Sequence, residues 1–116
     1  MGSRSHEKFI GTFFIFAALF GASGLATAGS QTGTIIGIHV RASDGLIYVL
    51  IDGPMSNRPA CATINYWMIK NENSTTGKQQ LAQLLAARAS GKQVTLVGSN
   101  TCTRWSDGED IDDVVF

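Results

Sequence analysis

Apolar positions recur every second residue in several stretches of this chain and at helical spacing in one. From Thr34 to Val40, Ile36, Ile38 and Val40 fall on one face with Ile35 opposite, which predicts a first strand. Leu46 to Ile51 is apolar on both faces, as in a strand covered on both sides. The Asp44-Gly45 pair between these runs is a hairpin signal, because glycine accepts the positive φ of such turns. Asp52, Gly53 and Pro54 stop the second strand. A third strand is expected from Cys61 to Ile69, with Ala62, Ile64, Tyr66 and Met68 facing the interior and Asn65 and Trp67 pointing outward.

Leu81, Leu84, Leu85 and Arg88 follow the i, i+3, i+4, i+7 spacing of one helical face. Thr76 with Gln79 fits a capping box, and Gly91 stands where a left-handed C-cap belongs. Arg88 near the helix end suits the helix dipole. A fourth strand is expected over Gln93–Gly98. After a loop, SNTCTRWSDG, a fifth covers Asp110–Phe116 with an uncertain register. The order β-β-β-α-β-β is that of the OB-fold, a five-stranded Greek-key barrel, so the expected class is mainly β with one α-helix.

The start of the chain changes this picture. Arg4 and Lys8 precede an uncharged, largely apolar run from Phe9 to Leu25, and Ala26, Thr27 and Ala28 form an A-x-A pattern. This reads as a signal peptide over residues 1–28, cut after Ala28, leaving a single domain over residues 29–116 that begins at Gly29. The alternative is an uncleaved anchor, but glycines and polar residues interrupt the run. Localisation is then periplasmic or secreted, with no membrane span after cleavage.

Removing Arg4, Lys8 and Glu7 leaves seven basic and eight acidic residues, so nothing in the charge favours nucleic acid or an anionic membrane as a partner. Cys61 and Cys102 are the only cysteines, and in an exported chain two cysteines are expected to pair. In the barrel order, strands three and five are neighbours running the same way, which brings the two cysteines together. Closing a loop of about 40 residues stabilises by roughly 4 kcal/mol in the loop-entropy account, a large share for so small a core.

Enzyme signatures are absent and none is assigned: no catalytic residue, no cofactor and no metal. TTGKQQ fails the phosphate-loop pattern, with Glu72 where the first glycine belongs and Gln79 after the lysine. His39 at a strand end reads as structural or solvated. Asp107, Glu109, Asp110, Asp112 and Asp113 lack EF-hand spacing and read as a solvated acidic edge that discourages strand pairing. The candidate binding residues are Asn65, Tyr66, Trp67, Arg104 and Trp105, since aromatic faces stack on sugars or peptide side chains while Arg and Asn add directional hydrogen bonds. The same residues also suit packing around a disulfide or a subunit contact in a homo-oligomer. Two classes stay open: a module that binds a glycan or protein ligand, and an envelope structural or oligomer-forming protein.

NRPACAT, the Tyr66-Trp67 pair, TTGKQQLAQLLAARASGKQVTLVGSNTC and the following Arg104-Trp105 resemble a group of small exported single-disulfide bacterial proteins of uncharacterised function. The likeness covers most of residues 33–116. It implies export and bacterial origin and brings no activity with it. More distantly, signal peptide, single bridge and strand-helix-strand order are similar to the OB-fold B subunits of AB5 toxins, including the subtilase cytotoxin type. No glycan-binding motif of those subunits matches here, so no residue role is carried over.

Overall fold

A computed structural model describes residues 28–116. The leader expected over residues 1–28, all but Ala28, lies outside the described residues. No helix among the described residues is long and apolar enough to cross a membrane.

The strands are β1 (Ser30–Gly33), β2 (Ile35–Val40), β3 (Ile47–Ile51), β4 (Met55–Ser56), β5 (Trp67–Met68), β6 (Val94–Gly98) and β7 (Glu109–Val115). The helix α1 (Thr75–Ser90) lies between β5 and β6. They form a mainly β structure, one curled mixed sheet in the order β2-β3-β5-β7-β6-β1-β4 that makes a half-barrel. Only Thr34 separates β1 from β2, yet β1 pairs with β6 while β2 pairs with β3. The chain therefore passes from β1, next to the last strand of the sheet, to β2 at its other end within a single residue. All pairings are antiparallel except β5 with β7, which run parallel as expected of the third and last strands.

The core contains Ile35, Val49, Trp67, Ile69, Leu84, Val94 and Leu96, all at most 1% exposed. Several expectations need correction here. Among the described residues there are seven strands, because three polar residues and a glycine, SQTG, form β1 and a short β4 adds to it. The third strand is only Trp67–Met68; Cys61–Tyr66 is loop. Its expected facing holds only in part: Ala62 and Met68 are buried and Asn65 is exposed as expected, but Ile64 is exposed and Trp67 is fully buried. In β2 it is Ile35 that faces the core while Ile36 and Val40 are exposed, with a register shift between Ile35 and Gly37 that skips Ile36.

Helix α1 begins two residues earlier than the capping box at Thr76 suggests. Ser74 is the N-cap, its hydroxyl accepting from the Gly77 N–H at 2.9 Å. Gly91 closes the other end at φ 67, as the sequence indicates. The buried stripe is Gly77, Gln80, Leu84 and Ala87, with Leu81 half-buried and Leu85 exposed. Gln80 is accommodated because its amide donates to the Asp112 carbonyl at 2.9 Å. Arg88 donates to the Ile35 carbonyl, tying the helix to β2 next to the register shift.

Candidate functional site

The disulfide Cys61–Cys102 is formed, with Cα atoms 6.2 Å apart. It joins the loop before β5 to the loop before β7, and those loops carry the candidate residues except Trp67, which lies on β5.

The loop before β7 is organised by Asp110. This side chain is fully buried and accepts four hydrogen bonds: from the Thr101 hydroxyl (2.7 Å), the Thr103 N–H (2.9 Å) and hydroxyl (2.6 Å), and the Arg104 N–H (3.1 Å). Burial alone pushes its carboxyl upward, but the Thr103 hydroxyl and N–H, the Thr101 hydroxyl and the Arg104 N–H outweigh that and hold it below the usual carboxylate value. A buried carboxylate thus supplies the acceptors that loop backbone would otherwise lack. Glu109 beside it is also fully buried. The solvated acidic edge read from the sequence therefore holds only for Asp112 and Asp113, which are exposed. Asp107 is half-buried and accepts from the Tyr66 hydroxyl.

Arg104 and Trp105 follow from this clasp. Arg104 Nε donates to Glu72 Oε1 at 2.8 Å, and its Nη2 donates to the Asp44 carbonyl at 3.0 Å, bridging to the β2–β3 turn. In that turn Gly45 adopts φ 76, and Asp44 Oδ1 accepts from the Leu46 N–H at 3.1 Å. Arg41 pairs with the Asp44 carboxylate, and its guanidinium lies over the Trp105 ring, 4.5 Å from the centroid. The Arg41 hydrogen bond, then that from Leu46, hold Asp44 down at about 2. Trp105 itself remains 37% exposed.

Tyr66 continues the surface. Burial, then its bond to Asp107, raises its phenol above the ordinary value. Its ring meets Tyr48 edge-on at 5.4 Å, and Tyr48 stacks on His39 at 4.4 Å with the rings parallel to within 1°. The result is a run of rings from His39 across β2 and β3 to Tyr66, beside a turn and a loop that present Arg41 and Trp105.

Of the five sequence candidates, Tyr66, Arg104 and Trp105 belong to this surface. Asn65 is exposed and accepts from Arg58 Nη1 at 3.0 Å, in the loop between β4 and β5. Trp67 does not belong to it. Its indole N–H donates to Gln31 Oε1 at 2.8 Å, and Gln31 in turn donates to the carbonyls of Ile51 (3.1 Å) and Gly53 (2.7 Å), so the residue is a hydrogen-bonded core anchor. Sequence reasoning missed His39, Arg41, Asp44 and Tyr48 as members of the surface. Of these only Tyr48 lies on β3, where it and Leu50 are half-buried between buried Ile47, Val49 and Ile51.

Among the described residues no group of three or more His, Cys, Asp and Glu side chains is placed to hold a metal ion. No protein-family model matches the chain, and no curated protein or solved structure matches it.

Proposed function

We propose that this chain is an exported, non-enzymatic recognition module that binds a glycan through the surface around Trp105. The disulfide and the absence of a membrane-spanning helix among the described residues are compatible with export. Counting β1 and β2 as one bent strand and leaving out the two-residue β4, the sheet order favours a five-stranded OB-type barrel. On such barrels the second and third strands with the first and last hairpin loops are the usual ligand face, and oligosaccharides are among their ligands. Tyr48 on β3, Arg41 in the β2–β3 turn, Tyr66 just before β5 and Trp105 in the loop before β7 support that reading.

One observation carries the reading. An exposed tryptophan ring is held in place by Arg41, on a loop that a buried aspartate fixes through four hydrogen bonds. Preorganising a large ring at the surface lowers the entropy lost when a ligand stacks on it. A sugar offers an apolar C–H face to the ring, and its hydroxyls match carboxylate and guanidinium groups such as those of Asp44 and Arg41. Screening the exported protein and its Trp105→Ala variant on a glycan array tests this: hits shared by both proteins, or none for the parent, contradict it.

An oligomer-forming envelope protein is the second reading. Ile36 (57%), Val40 (64%), Val115 (51%) and Phe116 (53%) are exposed apolar side chains, and β2 lies at the end of the sheet order with one strand partner. Solution mass by light scattering separates a monomer from an assembly.

A further inference from the structure

Among the described residues, Glu109 is the one fully buried acidic side chain whose hydrogen bonds are incomplete. Its Oε2 accepts from the Gly29 N–H at 3.1 Å and from the Asn100 N–H at 2.9 Å, while Oε1 has no partner among the described residues. Asn100 takes the left-handed region at φ 64 where it presents that N–H. Space for the carboxylate is made by two glycines: a Cβ at Gly98 would collide with Glu109 Oε2 and one at Gly29 with Oε1. A buried carboxylate with two neutral donors and one bare oxygen is costly, because desolvation is only partly offset.

Gly29 is also the residue at which the A-x-A pattern places the new chain start. We propose that Glu109 is the receptor for the α-ammonium group created when the Ala28–Gly29 bond is cut, so that removal of the leader completes the fold. This rests on the export reading. Hydrolysis consumes one water: the leader leaves with the Ala28 carboxylate, and the Gly29 nitrogen changes from an amide with one N–H into an ammonium with three. The nitrogen already stands at hydrogen-bond distance from Oε2, and Oε1 lies close to where a Cβ on Gly29 would stand. The extra donors reach the unpartnered oxygen without moving the strand, whose register is fixed by the Ser30–Val97 pair and by the Gly98 N–H donating to the Gly29 carbonyl at 2.8 Å. The positive charge then neutralises the buried carboxylate. Before cleavage the same pocket holds an uncompensated charge, so the precursor is the less stable form.

The test uses protein exported from the full precursor. Intact mass first establishes the chain start. The native protein and the same protein unfolded in urea with its disulfide intact are then treated with an amine-acylating reagent near neutral pH, and the modified peptides are quantified. The α-amine of Gly29 is expected to react at least about tenfold more slowly in the native protein, because the pair must open before the amine is exposed. Exposed Lys70, Lys78 and Lys92 serve as internal standards and should show no such protection. Glu109→Gln, where it folds, is expected to lose the protection. A start other than Gly29 overturns both the cleavage reading and the proposal. A start at Gly29 with an amine equally reactive in native and unfolded protein overturns the proposal alone, as does a folded Glu109→Gln variant with protection unchanged.

Discussion

Asp110 holds Thr103 by two hydrogen bonds, from its N–H and from its hydroxyl, at 2.9 and 2.6 Å to the same carboxylate oxygen. With Thr101 and the Arg104 N–H this turns a loop of ten residues into a fixed support for Trp105. Asp110→Ala should therefore destabilise the protein by about 2 kcal/mol or more, since it strands several buried donors. Urea unfolding of the two proteins measures it.

The same carboxylate sets an acid limit. Its folded value lies below its unfolded value near 3.8, so the stability it contributes is complete above that unfolded value and is lost as pH falls through the folded one. Thermal unfolding from pH 5 downward should show a falling midpoint below about pH 4, and Asp110→Asn should show a shallower fall over that window. Equal slopes for both proteins would mean that other carboxylates carry the acid sensitivity.

Trp67→Ala should cost about 3 to 5 kcal/mol, as for other large-to-small changes in a core. Trp67→Phe keeps most of the apolar volume but leaves Gln31 Oε1 without its donor, at a cost of about 1 to 3 kcal/mol. Chemical denaturation of both variants checks the order, and a cost below about 0.5 kcal/mol for Trp67→Ala would return this ring to the surface.

Replacing Cys61 and Cys102 together by serine should lower stability by about 4 kcal/mol, the loop-closure value for a span of this length. Equilibrium unfolding of the double variant against the oxidised parent measures it directly.

The elements readable in the sequence were those specified locally. The hairpin turn at Asp44-Gly45, the left-handed cap at Gly91, the apolar run of β3 and the alternation in β6 each depend on residues within a few positions of one another. What could not be read depends on distant partners. Strand β1 is SQTG, with no apolar alternation; it forms because it pairs with β6 and because Gln31 receives the Trp67 N–H. Trp67, Met68 and Ile69 are all buried in succession, which breaks the two-face rule. Met68 is covered from its other side by the loop before β7, where its side chain lies close against Gly108. Glu109 and Asp110 looked solvated by composition and are buried because N–H groups of Gly29, Asn100, Thr103 and Arg104 converge on them. Of the candidate site, Tyr66, Arg104 and Trp105 were legible as polar-aromatic residues beside a bridge. Arg41 was not, because a turn arginine shows no sign of the ring that it covers.

The recognition reading stands or falls on Trp105, and the most direct measurement is the affinity of a glycan selected from the array for the parent and for Trp105→Ala, with unfolding recorded on both. The predicted result is a loss of at least about tenfold in affinity, equivalent to about 1.4 kcal/mol, as expected when a tryptophan central to an interface is truncated. The accompanying stability change should be within about 1 kcal/mol, the scale of a surface cation–π contact. Unchanged affinity, or a variant destabilised by about 3 kcal/mol or more, would contradict it and place Trp105 among packing residues.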